Sequence, residues 1–215
     1  MDNMTYAKLI DGKLTLFRNP LQKDGMDIYN PSAEVLAGEG YKPYTEEDVD
    51  SSRLDACDLG FEYRETDAGI RKVWVYTPNL EKAKTTKLAE LNGAFDAAAK
   101  EAHCTSSVGF EIDADEIANR NIEGLVLVMQ PEETTLFRAY DNTFHEVTRE
   151  QLETMRKEIV VNSQYLYQAK WTMEARIRAA ETTGELEAIT FTEDTLAELA
   201  NTLKTAQGEG DAETE

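Results

Sequence analysis

The most constraining feature of the sequence is a short β-hairpin that leads directly into a long helix. The hairpin is predicted over residues 136–147, with its turn at Asp141-Asn142. Thr148 and Gln151 then form a capping-box pattern, because a hydroxyl at the N-cap and an amide three residues later can each bond a backbone N–H. The start of the helix is therefore predicted at Thr148.

This helix is predicted to reach Glu181, which makes it about 50 Å long. Its main apolar stripe contains Leu152, Met155, Ile159, Leu166, Met173 and Ile177. A second apolar face contains Val160, Tyr167 and Trp171. A helix with two apolar faces needs cover from other helices or from another copy. We therefore predict that the helix contacts a protein partner through Val160, Leu166, Tyr167, Trp171, Met173 and Ile177.

The N-terminal region is predicted to be a small β-rich domain. Asp11-Gly12 lies between two apolar runs and predicts a tight hairpin, and residues 66–69 predict a second turn. An acidic capping pattern that begins at Thr45 predicts a helix over residues 46–57. A proline followed by a capping asparagine, Pro78-Asn79, then places the domain boundary at residue 78.

The remaining C-terminal residues are predicted to be mostly helical. One helix face carries Leu88, Leu91, Phe95 and Ala98. A capping box from Asp113 to Glu116 predicts a further helix. Its predicted buried side contains Ile117, Leu125, Val128 and Met129.

These patterns together predict an α+β protein. A small antiparallel β-rich domain occupies residues 1–78, and a mainly helical domain with one β-hairpin occupies residues 79–204. Residues 205–215 have an acidic sequence without an apolar anchor at their end, and we predict that they form a disordered tail.

The charge balance excludes several classes of partner. The chain has 42 acidic and 22 basic side chains and a net charge of −20. This excess disfavours nucleic acid and anionic membrane surfaces, since both require cations on the protein. The sequence also has no apolar run of transmembrane length. Cys57 and Cys104 lack metal-type spacing and are predicted to be free thiols in a reducing compartment.

The sequence offers little catalytic chemistry, and we predict a protein that is not an enzyme. It contains no GxGxxG, Walker A, GxSxG or HExxH motif. His103 adjoins a cysteine but lacks a second ligand pair, and His145 is predicted to face solvent or a subunit contact. The residues from Asp113 fail the EF-hand pattern at its glycine and glutamate positions. We therefore predict no catalytic residue, metal, cofactor or small-molecule substrate.

Several short motifs, taken in order, resemble those of a known phage-associated domain. In the C-terminal part these are residues 87–92 (KLAELN), 109–115 (GFEIDAD) and 119–125 (NRNIEGL), together with the hairpin and long helix. They resemble a domain of unknown function found in small proteins near the tail-fibre genes of tailed phages and prophages. The N-terminal motifs YAKLIDG, IYNP and GYKP are similar to the leader domain of related proteins from phages of gut bacteria.

The resemblance implies a tail component of the virion or a tail-fibre assembly factor. The implied partners are other phage tail proteins, with self-association into a homo-oligomer. The implied location is the host bacterial cytoplasm during assembly, or the virion tail.

Two alternatives remain open. One is a free acidic module that inhibits a basic host protein by imitating DNA, although the acids are spread over helix caps, helix faces and the tail. The other is an enzyme, which would require a deep pocket lined with carboxylates of perturbed pKa.

Overall fold

The computed structural model describes residues 4–212, and the side chains of residues 4–207, as two compact units. The first unit ends at Lys82 and is rich in strands, and the second begins at Ala83 and is mainly helical. The predicted α+β class, with a β-rich N-terminal part and a helical C-terminal part, is therefore confirmed. The division falls inside helix α2 (Leu80–Lys100), slightly after the boundary predicted at residue 78.

The first unit is built on one five-stranded sheet. Its order across the sheet is β2 (Lys13–Leu16), β1 (Thr5–Ile10), β5 (Lys42–Glu46), β7 (Gly69–Pro78) and β6 (Cys57–Thr66). Asp11 and Gly12 both have positive φ, at 52° and 75°, as the predicted tight hairpin requires. Strands β3 (Leu21–Lys23) and β4 (Met26–Ile28) form a separate hairpin, and α1 (Ala33–Gly38) begins at its cap Ser32.

Strand β5 was not predicted, and it corrects two expectations. It lies in the middle of the sheet, antiparallel to β1 and parallel to β7, so the sheet is mixed rather than antiparallel. The segment after it is not the helix predicted over residues 46–57, because it holds only a short 3-10 turn at Ser51–Arg53 before β6.

Side chains of β7 hold the segment after β5 in this extended path. The Trp74 indole N–H donates to the carbonyl of Glu47 at 2.8 Å. The Tyr76 hydroxyl accepts from the backbone N–H of Asp50 at 2.6 Å. Pairing on both sides of β5 and these two contacts outweigh the local capping signal, as tertiary contacts commonly do.

Five helices and two hairpins are described from residue 80 onward. The helices are α2, α3 (Glu116–Val128), α4 (Arg149–Ala179), α5 (Thr183–Glu187) and α6 (Glu193–Ala212). The hairpins are β8 (His103–Thr105) with β9 (Glu111–Asp113), which was not predicted, and β10 (Thr134–Arg138) with β11 (Phe144–Thr148). Helix α4 packs against both α3 and α6.

The predicted hairpin and long helix are both confirmed. Helix α4 is continuous over 31 residues. The Thr148 hydroxyl accepts from the Gln151 N–H at 3.2 Å, and the Gln151 amide oxygen accepts from the Thr148 N–H at 2.9 Å, so the capping box is complete. The turn is longer than predicted, because the last strand pair is Arg138 with Phe144 and the loop spans residues 139–143.

The start of α3 differs from the prediction by two residues. Asp115, not Asp113, is the N-cap, and its carboxylate accepts from the Ala118 N–H at 2.6 Å. Asp113 instead ends β9, where backbone pairing takes precedence over capping. Met129 is buried as predicted, together with Ile122 and Val126 of α3. Ile117 and Val128 are exposed, contrary to the prediction.

Helix α6 also extends further than predicted. It continues to Ala212, so residues 205–212 are helical rather than disordered. The Tyr165 hydroxyl donates to the side-chain oxygen of Gln207 at 3.0 Å and ties this part of α6 to α4. Residues 213–215 of the predicted tail lie outside the described residues.

The cap of α4 gives a first testable prediction. Thr148→Ala removes the hydroxyl that accepts from Gln151 and should lower the free energy of unfolding by about 1 kcal/mol. Thr154→Ala is the matched control, because Thr154 lies inside α4 and its hydroxyl only donates to the carbonyl of Glu150. Urea unfolding followed by circular dichroism would measure the free energy of unfolding of both variants. Equal losses in the two variants would contradict the capping role.

The close approach of β5 to β7 gives a second prediction. A Cβ atom at Gly69 would lie 2.6 Å from the carbonyl oxygen of Pro43, whereas one at Gly60 would meet only Val75 O at 3.8 Å. Gly69→Ala should therefore lower the free energy of unfolding by about 1–3 kcal/mol. Gly60→Ala should lower it much less. Thermal unfolding of the two variants compares them directly. A Gly69→Ala variant as stable as the wild type would contradict this packing.

Candidate functional site

The structure divides the six predicted contact residues of α4 into two groups. The buried group contains Leu166, Met173 and Ile177. These three pack inside the helical unit, and Leu166 also lines the groove described below. The exposed group contains Val160, Tyr167 and Trp171, which expose 52%, 42% and 51% of their surface. Whether these three contact a partner stays a prediction.

The exposed group lies beside a groove of about 670 Å³ in the helical unit. The groove lies between α2, the first turn of α3 and the middle of α4. Its apolar lining includes Phe95, Ile117, Val160 and Tyr167. Ile117 is 64% exposed, so the groove opens onto a further exposed apolar side chain.

Aromatic contacts extend the apolar lining along α4. The ring of Tyr167 lies 4.9 Å from that of Phe95 and 5.9 Å from that of Trp171, measured between centroids. Val160, Gln164, Tyr167 and Trp171 follow spacings of four, three and four residues, which place them on one helix face. This exposed stripe is about 16 Å long at the rise of an α-helix.

The charged side chains of the groove are mostly acidic. Asp96, Asp115 and Glu116 line it, against the single cation Lys100. The cations in and beside the groove already face carboxylates of their own. These pairs are Lys100–Glu101, Arg120–Glu116 and Lys170–Glu174, at 3.8, 2.9 and 4.0 Å. Within the part of the chain that the structure describes, neither Asp96 nor Asp115 forms a salt bridge.

One polar atom of the groove lacks a partner. The side-chain oxygen of Asn119 is buried and accepts no hydrogen bond from the described residues. A buried acceptor without a donor is costly, by about 1–3 kcal/mol.

The sequence located only one wall of this groove. The exposed stripe of α4 was visible as a second apolar face in the helical periodicity. Asp96 and Ile117 come from α2 and α3, and no sequence signal indicated that they would lie beside this stripe. The prediction for Ile117 failed because α3 buries a different face, which carries Ile122 and Val126.

Both histidines stack on aromatic rings, and both cysteines are buried. His145 stacks on Phe110 with centroids 4.0 Å apart and is half-buried, so whether it faces a subunit contact stays a prediction. His103 stacks on Tyr140 at 4.3 Å. Cys57 and Cys104 are free and buried, and burial raises the pKa of the Cys104 thiol. No cluster of three metal-ligating side chains occurs among the described residues.

The carboxylate of Glu158 on α4 holds a turn through two hydrogen bonds. It accepts from the hydroxyl of buried Ser106 and, at 2.9 Å, from the backbone N–H of Ser107. Partial burial raises the pKa of Glu158, but the hydrogen bonds from Ser106 and Ser107 lower it by more, so its pKa lies below the ordinary value. The carboxylate therefore fixes the turn between β8 and β9 onto α4.

Comparisons with known proteins identify a family without a known function. Residues 82–206 match the model of a family described as "Domain of unknown function (DUF4376)". No curated protein and no solved structure matches the chain. Among the described helices, none combines the length and the apolar character that a membrane span requires.

The lowered pKa of Glu158 predicts a pH-dependent contribution to stability. Its stabilising effect is fully present above the unfolded pKa of about 4.3 and is lost as the pH falls through the lower folded pKa. Glu158→Gln should therefore be less stable than the wild type at pH 7, and the difference should shrink in acid. The control is Glu198→Gln, at an exposed position on α6. Urea unfolding at several pH values measures both, and a Glu158→Gln deficit that is independent of pH would contradict the charged hydrogen bonds.

Proposed function

The chain belongs to the DUF4376 family, and we propose that it is a non-enzymatic component of a phage tail, or a tail-fibre assembly protein, that acts through protein–protein contacts. The observation that carries the contact function is the exposed stripe of α4 beside the groove. The link to phage tails rests on the resemblance of residues 87–92, 109–115 and 119–125, and of the hairpin and long helix, to a phage-associated domain.

The chemistry of the groove favours contact over reaction. Tyr167 and Trp171 are large, amphipathic and partly exposed, which is the character of residues that dominate binding energy at protein interfaces. Tyr167 lines the groove together with exposed Val160 and Ile117, and Trp171 adjoins Tyr167. Apolar surface of this kind is typical of interaction sites. The groove contains no histidine or cysteine that could act as a base or nucleophile.

The proposed partner is another tail protein or a second copy of the chain. Both would cover the exposed stripe of α4, which no other helix of the described chain covers. The proposal places the protein in the bacterial cytoplasm during assembly or in the finished tail.

A comparison of purified particles with the crude lysate tests the proposal. We expect mass spectrometry to detect the chain on tail particles or bound to a tail protein. The variant Tyr167→Ser/Trp171→Ser should reduce this association about tenfold, since two aromatic contacts are removed. The control Leu127→Ser/Val161→Ser changes exposed apolar residues that do not line the groove, and it should associate normally.

Two results would contradict the proposal. One is a monomer at micromolar concentration that associates with no tail protein. The other is that Tyr167→Ser/Trp171→Ser associates as well as the wild type while the control Leu127→Ser/Val161→Ser loses its partner. A different surface would then make the contact.

A further inference from the structure

We infer that the groove binds a basic amphipathic helix from a different protein. This inference rests on the proposed contact function and specifies the chemistry of the partner. It follows from the shape of the groove and from the distribution of charge around it.

The shape of the groove fits a short helix. The exposed stripe from Val160 to Trp171 is about 16 Å long, which corresponds to about three helical turns. Val160, Gln164 and Tyr167 of this stripe line the groove, and Trp171 lies one turn beyond them. The walls from α2 and α3 present Phe95 and Ile117 to the same groove. An apolar floor between helices receives one face of an amphipathic helix through residues spaced three and four apart.

The charge of the groove selects a basic helix. Asp96 and Asp115 have no salt bridge within the described chain, and the cation Lys100 faces Glu101. Glu116 pairs with Arg120, but an exposed pair of this kind is weak and exchanges readily. A helix with lysine or arginine beside its apolar face would therefore find two carboxylates without a cation at the edge of the groove, of which Asp115 also caps α3.

The charge also argues against a second copy as the occupant. The chain carries a net charge of −20, so two copies repel each other at moderate ionic strength. A partner with basic side chains would instead be attracted.

Three synthetic peptides of about 18 residues test the inference. The first has leucine at helical spacing on one face and lysine on the other. The second replaces every lysine with glutamate, and the third keeps the lysine and leucine composition in an order without an apolar face. Fluorescence anisotropy of each labelled peptide with the full chain, repeated over a salt series, gives the dissociation constants.

The inference predicts that only the first peptide binds tightly. Asp96→Asn/Asp115→Asn should weaken its binding about fivefold and reduce its salt dependence. Asparagine remains a good N-cap, so this variant removes charge while keeping the cap of α3. The control Glu187→Gln/Glu198→Gln removes the same charge from exposed positions on α5 and α6 and should bind normally.

Other outcomes overturn the inference in distinguishable ways. Binding of the glutamate peptide as tightly as the lysine peptide would refute the basic partner but leave the contact function standing. Equal weakening by the control charge variant, or equal binding of the peptide without an apolar face, would show a non-specific charge effect. Failure of all three peptides to bind would also refute the inference. Concentration-dependent dimerisation of the chain that Tyr167→Ser/Trp171→Ser abolishes would refute it by identifying a second copy as the occupant.

Discussion

The capping box at Thr148 determines where α4 begins, and the architecture of the helical unit follows from that start. Because Thr148 is both the last residue of β11 and the N-cap, the hairpin and the helix share one fixed junction. Val147 and Leu152 on either side of this junction lie in the same core cluster. The register of every side chain along the helix is thereby set, including which face meets α3 and α6 and which face is exposed.

A helix of 31 residues with two apolar faces has more apolar surface than its neighbours cover. One face is buried along its whole length, from Leu152 to Ile177. The other carries Val160, Tyr167 and Trp171, and it is bordered by α2 and by the first turn of α3 without being closed. The exposed stripe is therefore a direct consequence of the periodicity of α4, and the groove gives this stripe two walls and an acidic edge.

The features that could be predicted from the sequence are those whose causes are local. The Asp11-Gly12 turn, the capping box of α4 and the buried stripe of that helix depend on residues within a few turns of each other. Strand β5 and the hairpin of β8 with β9 could not be predicted, because their pairing partners are distant or their strands are only three residues long. The cap of α3 was misplaced for a related reason: Asp113 and Asp115 both suit an N-cap, and only the pairing of β9 decides between them.

One wall of the groove could be predicted from the periodicity of α4. The acidic edge could not be predicted, because it depends on the tertiary arrangement of α2 and α3.

The central claim is that the exposed face of α4 is a binding surface, and Trp171 can report on it directly. The chain has two tryptophans, so Trp74→Phe leaves Trp171 as the only one. Acrylamide quenching of this variant should show an accessible indole in the isolated monomer and a shielded indole, with blue-shifted emission, when the chain is bound to tail particles. Equal quenching of Trp171 in the free and the particle-bound chain would contradict the account.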